Sequence, residues 1–209
     1  MLVADLLRHG ELEGGVKYRG HVEEKLTFQG REQMNHVWQA IKAQVDVIVS
    51  SPLSRCAMPA QEWAKSASIP CVIDGRMVEM HYGDWEGLSH DEIEQAFPNM
   101  LGQWRKDPTG MRPPHGESPE ELRQRVAAFW RDITKKYQQK HILIVAHSGS
   151  LRMLIAYLNA QPIAYTRAIE MPYACWRRVE YDEQAGVKIF KEPLNKSDMA
   201  ATLALRDEM

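Results

Sequence analysis

The chain has 209 residues, 44% of them hydrophobic and 26% charged, with a formal net charge of -2. That length supports one substantial core and hardly two. The near-neutral balance, with Lys and Arg scattered rather than striped, leaves no footprint for nucleic acid or any other long polyanion.

Residues 2–11 set the frame. Leu2-Val-Ala-Asp-Leu-Leu-Arg-His-Gly-Glu11 is a short apolar run that stops at Arg8 and His9 and turns at Gly10. It is too short for an amphipathic helix and reads as a buried strand. A loop with three glycines follows, carrying Tyr18 and Arg19. Thr27 to about Val45 has a plausible N-cap and apolar residues at helical spacing (Met34, Val37, Trp38, Ile41). Val45–Val49 is rich in β-branched residues and predicts a second strand, ending in Ser50-Ser-Pro-Leu-Ser-Arg55, with a helix running on to about Ala64.

Val72-Ile73 predicts a short third strand. Glu79-Met-His-Tyr-Gly-Asp-Trp-Glu-Gly87 is a loop with aromatic residues and three carboxylates, followed by short helices at Ser89–Phe97 and Met100–Trp104. Ser118-Pro-Glu-Glu121 starts a helix that should reach Tyr137, with Ser at the N-cap, Pro at N1 and Glu at N3. His141–Ala146 is a strong buried strand, running straight into His147-Ser-Gly-Ser150. Leu151–Leu158 predicts a short apolar helix, and 176–181 with 187–190 a closing hairpin. The tail from Glu192 shows no clear pattern and is expected to be partly mobile. Strands alternating with helices imply a single three-layer α/β/α domain spanning residues 1–209, with a mostly parallel sheet and an antiparallel edge.

In a parallel sheet the ends of distant strands converge on one side, where such folds place their ligands. Here three strand ends carry Arg8 with His9, Arg55, and His147. Arginine forks match phosphate oxygens. Of two histidines, one can attack while the other donates to the transferring group. Arg55 and the Ser148-Gly149 turn also fall at predicted helix N-termini, which favour anions. His9 therefore reads as a nucleophile for phosphate. The plain alternative is a strand-end histidine satisfied by a backbone carbonyl.

Arg8-His9-Gly10-Glu11, Ser51-Pro-Leu-Ser-Arg55, Glu79 with Gly83-Asp-Trp-Glu-Gly87, and Ala146-His-Ser-Gly149 occur in the order found in the histidine phosphatase superfamily, the phosphoglycerate mutase-like fold. The chain resembles that family over nearly its whole length. The resemblance implies that His9 becomes phosphohistidine, that Arg8, Arg55 and His147 line the phosphate pocket, and that Glu79 is the general acid and then the base. A carboxyl beside a phosphate dianion is pushed toward its protonated form, as an acid catalyst needs. No metal or other cofactor is implied, because the arginines and histidines neutralise the phosphoryl oxygens.

Two positions depart from the family pattern: Leu12 replaces its Thr, and Gly15 replaces an Asn that usually helps hold phosphate. The loops 18–27 and 79–86, Gly116-Glu-Ser-Pro and Cys175-Trp176 look most like the α-ribazole phosphatase branch. That likeness implies hydrolysis of α-ribazole 5'-phosphate, late in cobalamin synthesis. Phosphoglycerate mutase, a broad-specificity small-metabolite phosphatase and a non-catalytic phosphate-binding module are the alternatives.

Ser148 is read either as a helix cap or as a phosphate donor. Tyr18, Arg19, Tyr82, Trp85 and Glu117 are candidates for the leaving-group side, with loop packing an equal account. The other histidines show no ligand spacing for a metal. Cys56, Cys71 and Cys175 show neither disulfide density nor CxxC spacing, no apolar run reaches membrane-spanning length, and the N-terminus lacks a signal-peptide pattern. A cytoplasmic protein with a small phosphomonoester as its partner is expected, of unspecified oligomeric state and without nucleic-acid or membrane partners.

Overall fold

The computed structural model describes residues 1–191, and the tail expected from Glu192 lies outside them. The described residues form a six-stranded sheet from β1 (Leu2–Arg8), β2 (Val47–Ser50), β3 (Cys71–Ile73), β4 (His141–Ala146), β5 (Trp176–Asp182) and β6 (Gly186–Lys191). Its spatial order is β3-β2-β4-β1-β5-β6. The first four strands of that order are parallel, and β5 and β6 complete the sheet antiparallel.

Strand alternation divides the core into two. Leu7, Ile48, Leu143 and Val145 face α1 (Phe28–Ile41) and α2 (Ser54–Ala67), meeting Met34, Trp38, Ile41, Ala60 and Trp63. Leu6, Val49, Ile142 and Ile144 join the other cluster with Leu122, Val126 and Phe129 of α5 (Pro119–Lys136) and Leu151 and Leu154 of α6 (Ser148–Leu158). Two shorter helices, α3 (His90–Ala96) and α4 (Met100–Lys106), add Ile93, Leu101 and Trp104 to that second cluster. Both faces of the central strands are thus covered, which is why they read as unbroken apolar runs. The architecture is the expected three-layer α/β/α.

The boundaries differ where polar residues carry the backbone. The first helix stops at Ile41 rather than near Val45; a turn follows, and Val45 still packs into the core. α6 begins at Ser148, three residues before its apolar stretch: its first turn is Ser-Gly-Ser, and the Ser150 hydroxyl accepts from the backbone N–H of His147 at the N-cap position. Short 3-10 turns at Gly75–Met77, Gly83–Trp85 and Ile163–Ala168 have no apolar period to mark them, and the second lies within the expected 79–87 loop. The Ser118–Glu121 capping box forms as expected.

A buried carboxylate lies within the sheet. Asp5 is fully buried on β1 and accepts from Arg178 of β5 (Nε at 2.8 Å) while sharing a 2.6 Å contact with His141 Nε2 of β4. Burial alone would raise its carboxyl, but the hydrogen bonds from His141 and Arg178 outweigh it and hold the pKa below the usual value.

Candidate active site

The sheet delivers the predicted residues to one edge. β1 continues past Arg8 into His9, whose N–H donates to Ala146 O at 3.0 Å and whose carbonyl accepts from Ala174 N at 3.1 Å. Ser51 N–H bonds Val145 O at 3.0 Å beyond the end of β2. His9, Ser51 and His147 therefore stand at the ends of three adjacent parallel strands. His9, Arg55, Glu79 and His147 are each less than 9% exposed. Four residues up to 138 positions apart in the chain become one cluster.

The two histidines hold opposite tautomers. His9 Nδ1 lies 2.8 Å from Gly10 O. A carbonyl only accepts, so Nδ1 carries the proton and Nε2 keeps its lone pair. The bland expectation for His9 is thus half met, since a backbone carbonyl does satisfy one nitrogen; the other is left free to attack. Burial, then the charge of Arg8, push its pKa well below the ordinary histidine value, with Arg55 and Arg19 adding to the effect and the Gly10 bond opposing it. His147 receives Arg55 Nε–H on Nδ1 at 3.3 Å, so its proton sits on Nε2, 2.7 Å from Ser51 Oγ. Burial and the Arg55 charge likewise keep His147 neutral. The rings are 5.3 Å apart.

Gly10 makes the turn after His9 possible through close contact. A Cβ there would lie 1.9 Å from Gly30 O, in the first turn of α1. The Thr27 hydroxyl, which caps that helix, donates to Glu11 Oε2 at 3.1 Å. Glu11 thus ties the strand end to α1.

Arg55 lies one residue inside α2 and is 2% exposed. Besides His147, it donates to Val22 O at 2.8 Å and Gly20 O at 2.7 Å, fastening the 18–24 loop over the strand ends. Arg8 donates to Met171 O at 2.5 Å, lies 4.2 Å above the Tyr173 ring, and has a buried Nε without a partner among the described residues. Tyr173 also packs 5.8 Å from the His9 ring. Ser51 stood in the sequence only as the start of the Ser51–Arg55 motif, without a role of its own, and Tyr173 carried no chemical signal there.

Glu79 is held at the start of α6. Its Oε2 accepts from Gly149 N at 2.9 Å, and its Oε1 from Ser150 N at 3.1 Å and Met80 N at 2.9 Å. A carboxylate is well placed at that positive helix end. Its backbone carbonyl is fixed by Arg125 and His21, and Arg125 is itself clamped by both oxygens of Glu117. Of the two accounts open for Glu117, leaving-group contact and loop packing, its geometry fits the second, bracing the Glu79 segment through Arg125.

Two further expectations need correction. The first-turn amides of α6, expected to meet phosphate with Ser148, are taken by Glu79, since only Gly149 admits a carboxylate that close; Ser148 lies half-buried beside them. Arg19 is buried but turned into its own loop. It pairs with Glu24 and donates to the carbonyls of Glu13, Gly15 and Lys17, so it organises the loop and reaches His9 only through its charge. Gly15 has a positive φ of 75°, with open space where a side chain would begin.

Aromatic rings pack beside Glu79. Tyr18 meets the edges of Tyr82 at 4.9 Å and Trp85 at 5.8 Å, and Trp85 meets Trp104 at 5.6 Å. Tyr18 and Tyr82 are half-buried. Cys56 lies under His147, its Sγ 3.7 Å from Nε2, and burial pushes its thiol pKa up, so it is an inert packing group. Among the described residues no group of three or more His, Cys, Asp or Glu is placed to hold a metal, and no helix is long and apolar enough to cross a membrane.

This constellation coincides with a match to the family model of the histidine phosphatase superfamily (branch 1) over residues 5–190. The chain belongs to that superfamily. It is accordingly a hydrolase of the phosphoric monoester phosphatase type. The adenosylcobalamin/alpha-ribazole phosphatase of Escherichia coli is 28% identical over 182 residues, 86% of this chain and 90% of the relative. The glucosyl-3-phosphoglycerate phosphatase of Mycolicibacterium vanbaalenii is 30% identical over 168 residues, covering 76% and 74%. The solved structure of Bacillus stearothermophilus YhfR superimposes with a TM-score of 0.86 at 26% identity, over 95% of this chain and 100% of that one. As a phosphoglycerate mutase-like histidine phosphatase, the protein has the fold expected from its strand pattern.

Proposed function

We propose that the protein hydrolyses small phosphomonoesters through a phosphohistidine on His9. The tautomer of His9 carries this proposal: Nδ1 is bound to the Gly10 carbonyl, and Nε2 is unprotonated at neutral pH among buried arginines. Nε2 attacks phosphorus and forms an N–P bond while the P–O bond to the alcohol breaks. Arg8 and Arg55 neutralise the equatorial oxygens, and the neutral His147 donates its Nε2–H to them by giving up its bond to Ser51 Oγ, the electrostatics that carry phosphoryl transfer. Glu79 delivers a proton to the departing alkoxide. Its Oε1 already accepts two N–H bonds and its Oε2 only one, so Oε2 is the oxygen that carries the proton. Water then attacks the phosphohistidine, Glu79 takes its proton, and inorganic phosphate leaves. A positioned acid of this kind contributes about 10²–10⁴ in rate.

The loop likeness and the Escherichia coli relative support α-ribazole 5'-phosphate as the substrate. A second class, esters of acidic alcohols, is favoured by arginines beside Tyr18 and Tyr82 that lack acidic partners. Acid-quench labelling tests the chemistry: a phosphorylated substrate should leave an acid-labile phosphoenzyme that disappears in His9→Ala. Label persisting in that variant removes His9 as nucleophile. With 3-phosphoglycerate and a bisphosphoglycerate primer, free phosphate is expected; isomer without phosphate would make the protein a mutase.

A further inference from the structure

Beyond the phosphate pocket lies a second group of cations. Arg152 sits on α6 one turn after Ser148, on the helix whose first amides hold Glu79. It is half-buried, and its Nε is fully buried with no partner among the described residues. Arg167 donates its Nε–H to Arg105 O at 3.2 Å, and Arg105 rests on the His90 ring with Nη2 2.6 Å from Nδ1. His90 in turn packs 5.5 Å from Tyr18, and Tyr18 4.9 Å from Tyr82. No carboxylate lies within 4 Å of Arg105, Arg152 or Arg167 among the described residues, whereas six other arginines of the fold are ion-paired.

Electrostatics join these groups to the site. Burial, then the like charge of Arg167, lowers the Arg152 pKa, while Tyr82, Glu79 and Tyr18 oppose that shift. Arg152 also acts on Arg8. A guanidinium drawn out of water without an anion is costly unless an anion meets it in use. Arg152 thus shares its helix with the amides that hold Glu79, so its charge belongs to the side of the site where the proposed general acid meets the leaving oxygen.

We infer that Arg152, with Arg167 and Arg105 beyond it, forms a second anion subsite on the leaving-group side, so that the preferred substrate is a phosphomonoester whose alcohol bears a carboxylate or a second phosphate. The inference rests on the phosphohistidine reading above for which side the alcohol leaves. It sets the preference against a neutral leaving group such as α-ribazole, which leaves these guanidinium donors unanswered. Planar forks suit carboxylate and phosphate alike.

The test compares esters matched in size: glycerol phosphate (neutral alcohol), 3-phosphoglycerate (carboxylate) and 2,3-bisphosphoglycerate (second phosphate), alongside α-ribazole 5'-phosphate. Wild-type kcat/KM should favour an acidic ester over glycerol phosphate by about tenfold or more, roughly what one charge-assisted contact provides. Which acid wins identifies the anion. Arg152→Met and the exposed Arg167→Met should each move that ratio toward one. A structural role would lower all esters together and leave the ratio unchanged, which overturns the inference. So does a wild-type ratio near one, or α-ribazole 5'-phosphate outrunning every acidic ester. Dissociation constants of glycerol phosphate and 3-phosphoglycerate, measured by calorimetry on His9→Ala with and without Arg152→Met, read the same ratio without turnover. Failure of the wild type to cleave p-nitrophenyl phosphate would sink the phosphatase chemistry alone, and the ratio of dissociation constants would still decide the subsite.

Discussion

Replacing Gly149 by alanine separates the fold from the chemistry. A Cβ at that position would lie 2.4 Å from Glu79 Oε1, 3.2 Å from its Cδ and 3.5 Å from Oε2. The obstructed atoms belong to the end of a flexible side chain, so the carboxylate swings away while the backbone stays. Glu79 then loses its bonds from Gly149 and Ser150. Hydrogen bonds to a charged group contribute about 1.5–3 kcal/mol each, net of exchange with water. Alanine in the first turn of α6 returns about 1 kcal/mol of helix propensity. Two such bonds less the helix gain leave a net loss of about 2–5 kcal/mol, a shift in Tm of roughly 5–15 °C at this chain length. Catalysis should suffer far more. With the proton donor displaced, kcat/KM on an alkyl phosphate should fall about 10²-fold or more. p-Nitrophenolate leaves without a proton, so its ester should lose less than about tenfold. Steady-state kinetics on both esters, with thermal unfolding as the control, read the difference. An equal loss on both, or alkyl turnover within threefold of wild type in a folded variant, would refute Glu79 as the proton donor.

Three further outcomes follow from the geometry. Because burial and Arg8 depress the His9 pKa, the neutral nucleophile persists below pH 6.5, and activity is lost only as pH falls through the lowered value; the acid limb of kcat/KM should have its midpoint below 6.5. A midpoint at or above 6.5 would mean the imidazole is not held neutral by its surroundings. Gly10→Ala forces a methyl group against Gly30 O at 1.9 Å, backbone against backbone, and should destabilise by about 3 kcal/mol or more in urea unfolding, since neither chain can yield. Asp5→Ala leaves His141 and Arg178 without their carboxylate and should cost about 3–5 kcal/mol. The depressed Asp5 pKa gives the wild type stability that is fully present above the unfolded value of 3.8 and fades as pH falls through the lower folded value. Denaturant midpoints across that range should converge for wild type and variant at the acid end.

The buried strands, the long helix and the site's main side chains were legible from local pattern alone. Apolar runs ending in Arg8-His9 and His147 marked strands and their tips, and the parallel order of an α/β sheet brought those tips to one edge. The Ser118–Glu121 box gave the start of α5 because capping is decided within four residues. Sequence alone was silent wherever a side chain's partner lies elsewhere in the chain. Ser51 and Tyr173 became neighbours of the histidines only once β2, β4 and the loop before β5 were adjacent in space. Helix logic pointed the amides of α6 at phosphate, but tertiary structure gave them to Glu79 through the space left by Gly149. Arg19 looked like a ligand for substrate and proved to clasp its own loop. Asp5 passed unremarked inside a hydrophobic run, because its two partners come from strands more than 130 residues away. Residue type and order determined which chemistry was available to this protein; packing between remote segments decided which group faces which, because hydrogen bonds and charges are satisfied in space and leave no period in the chain.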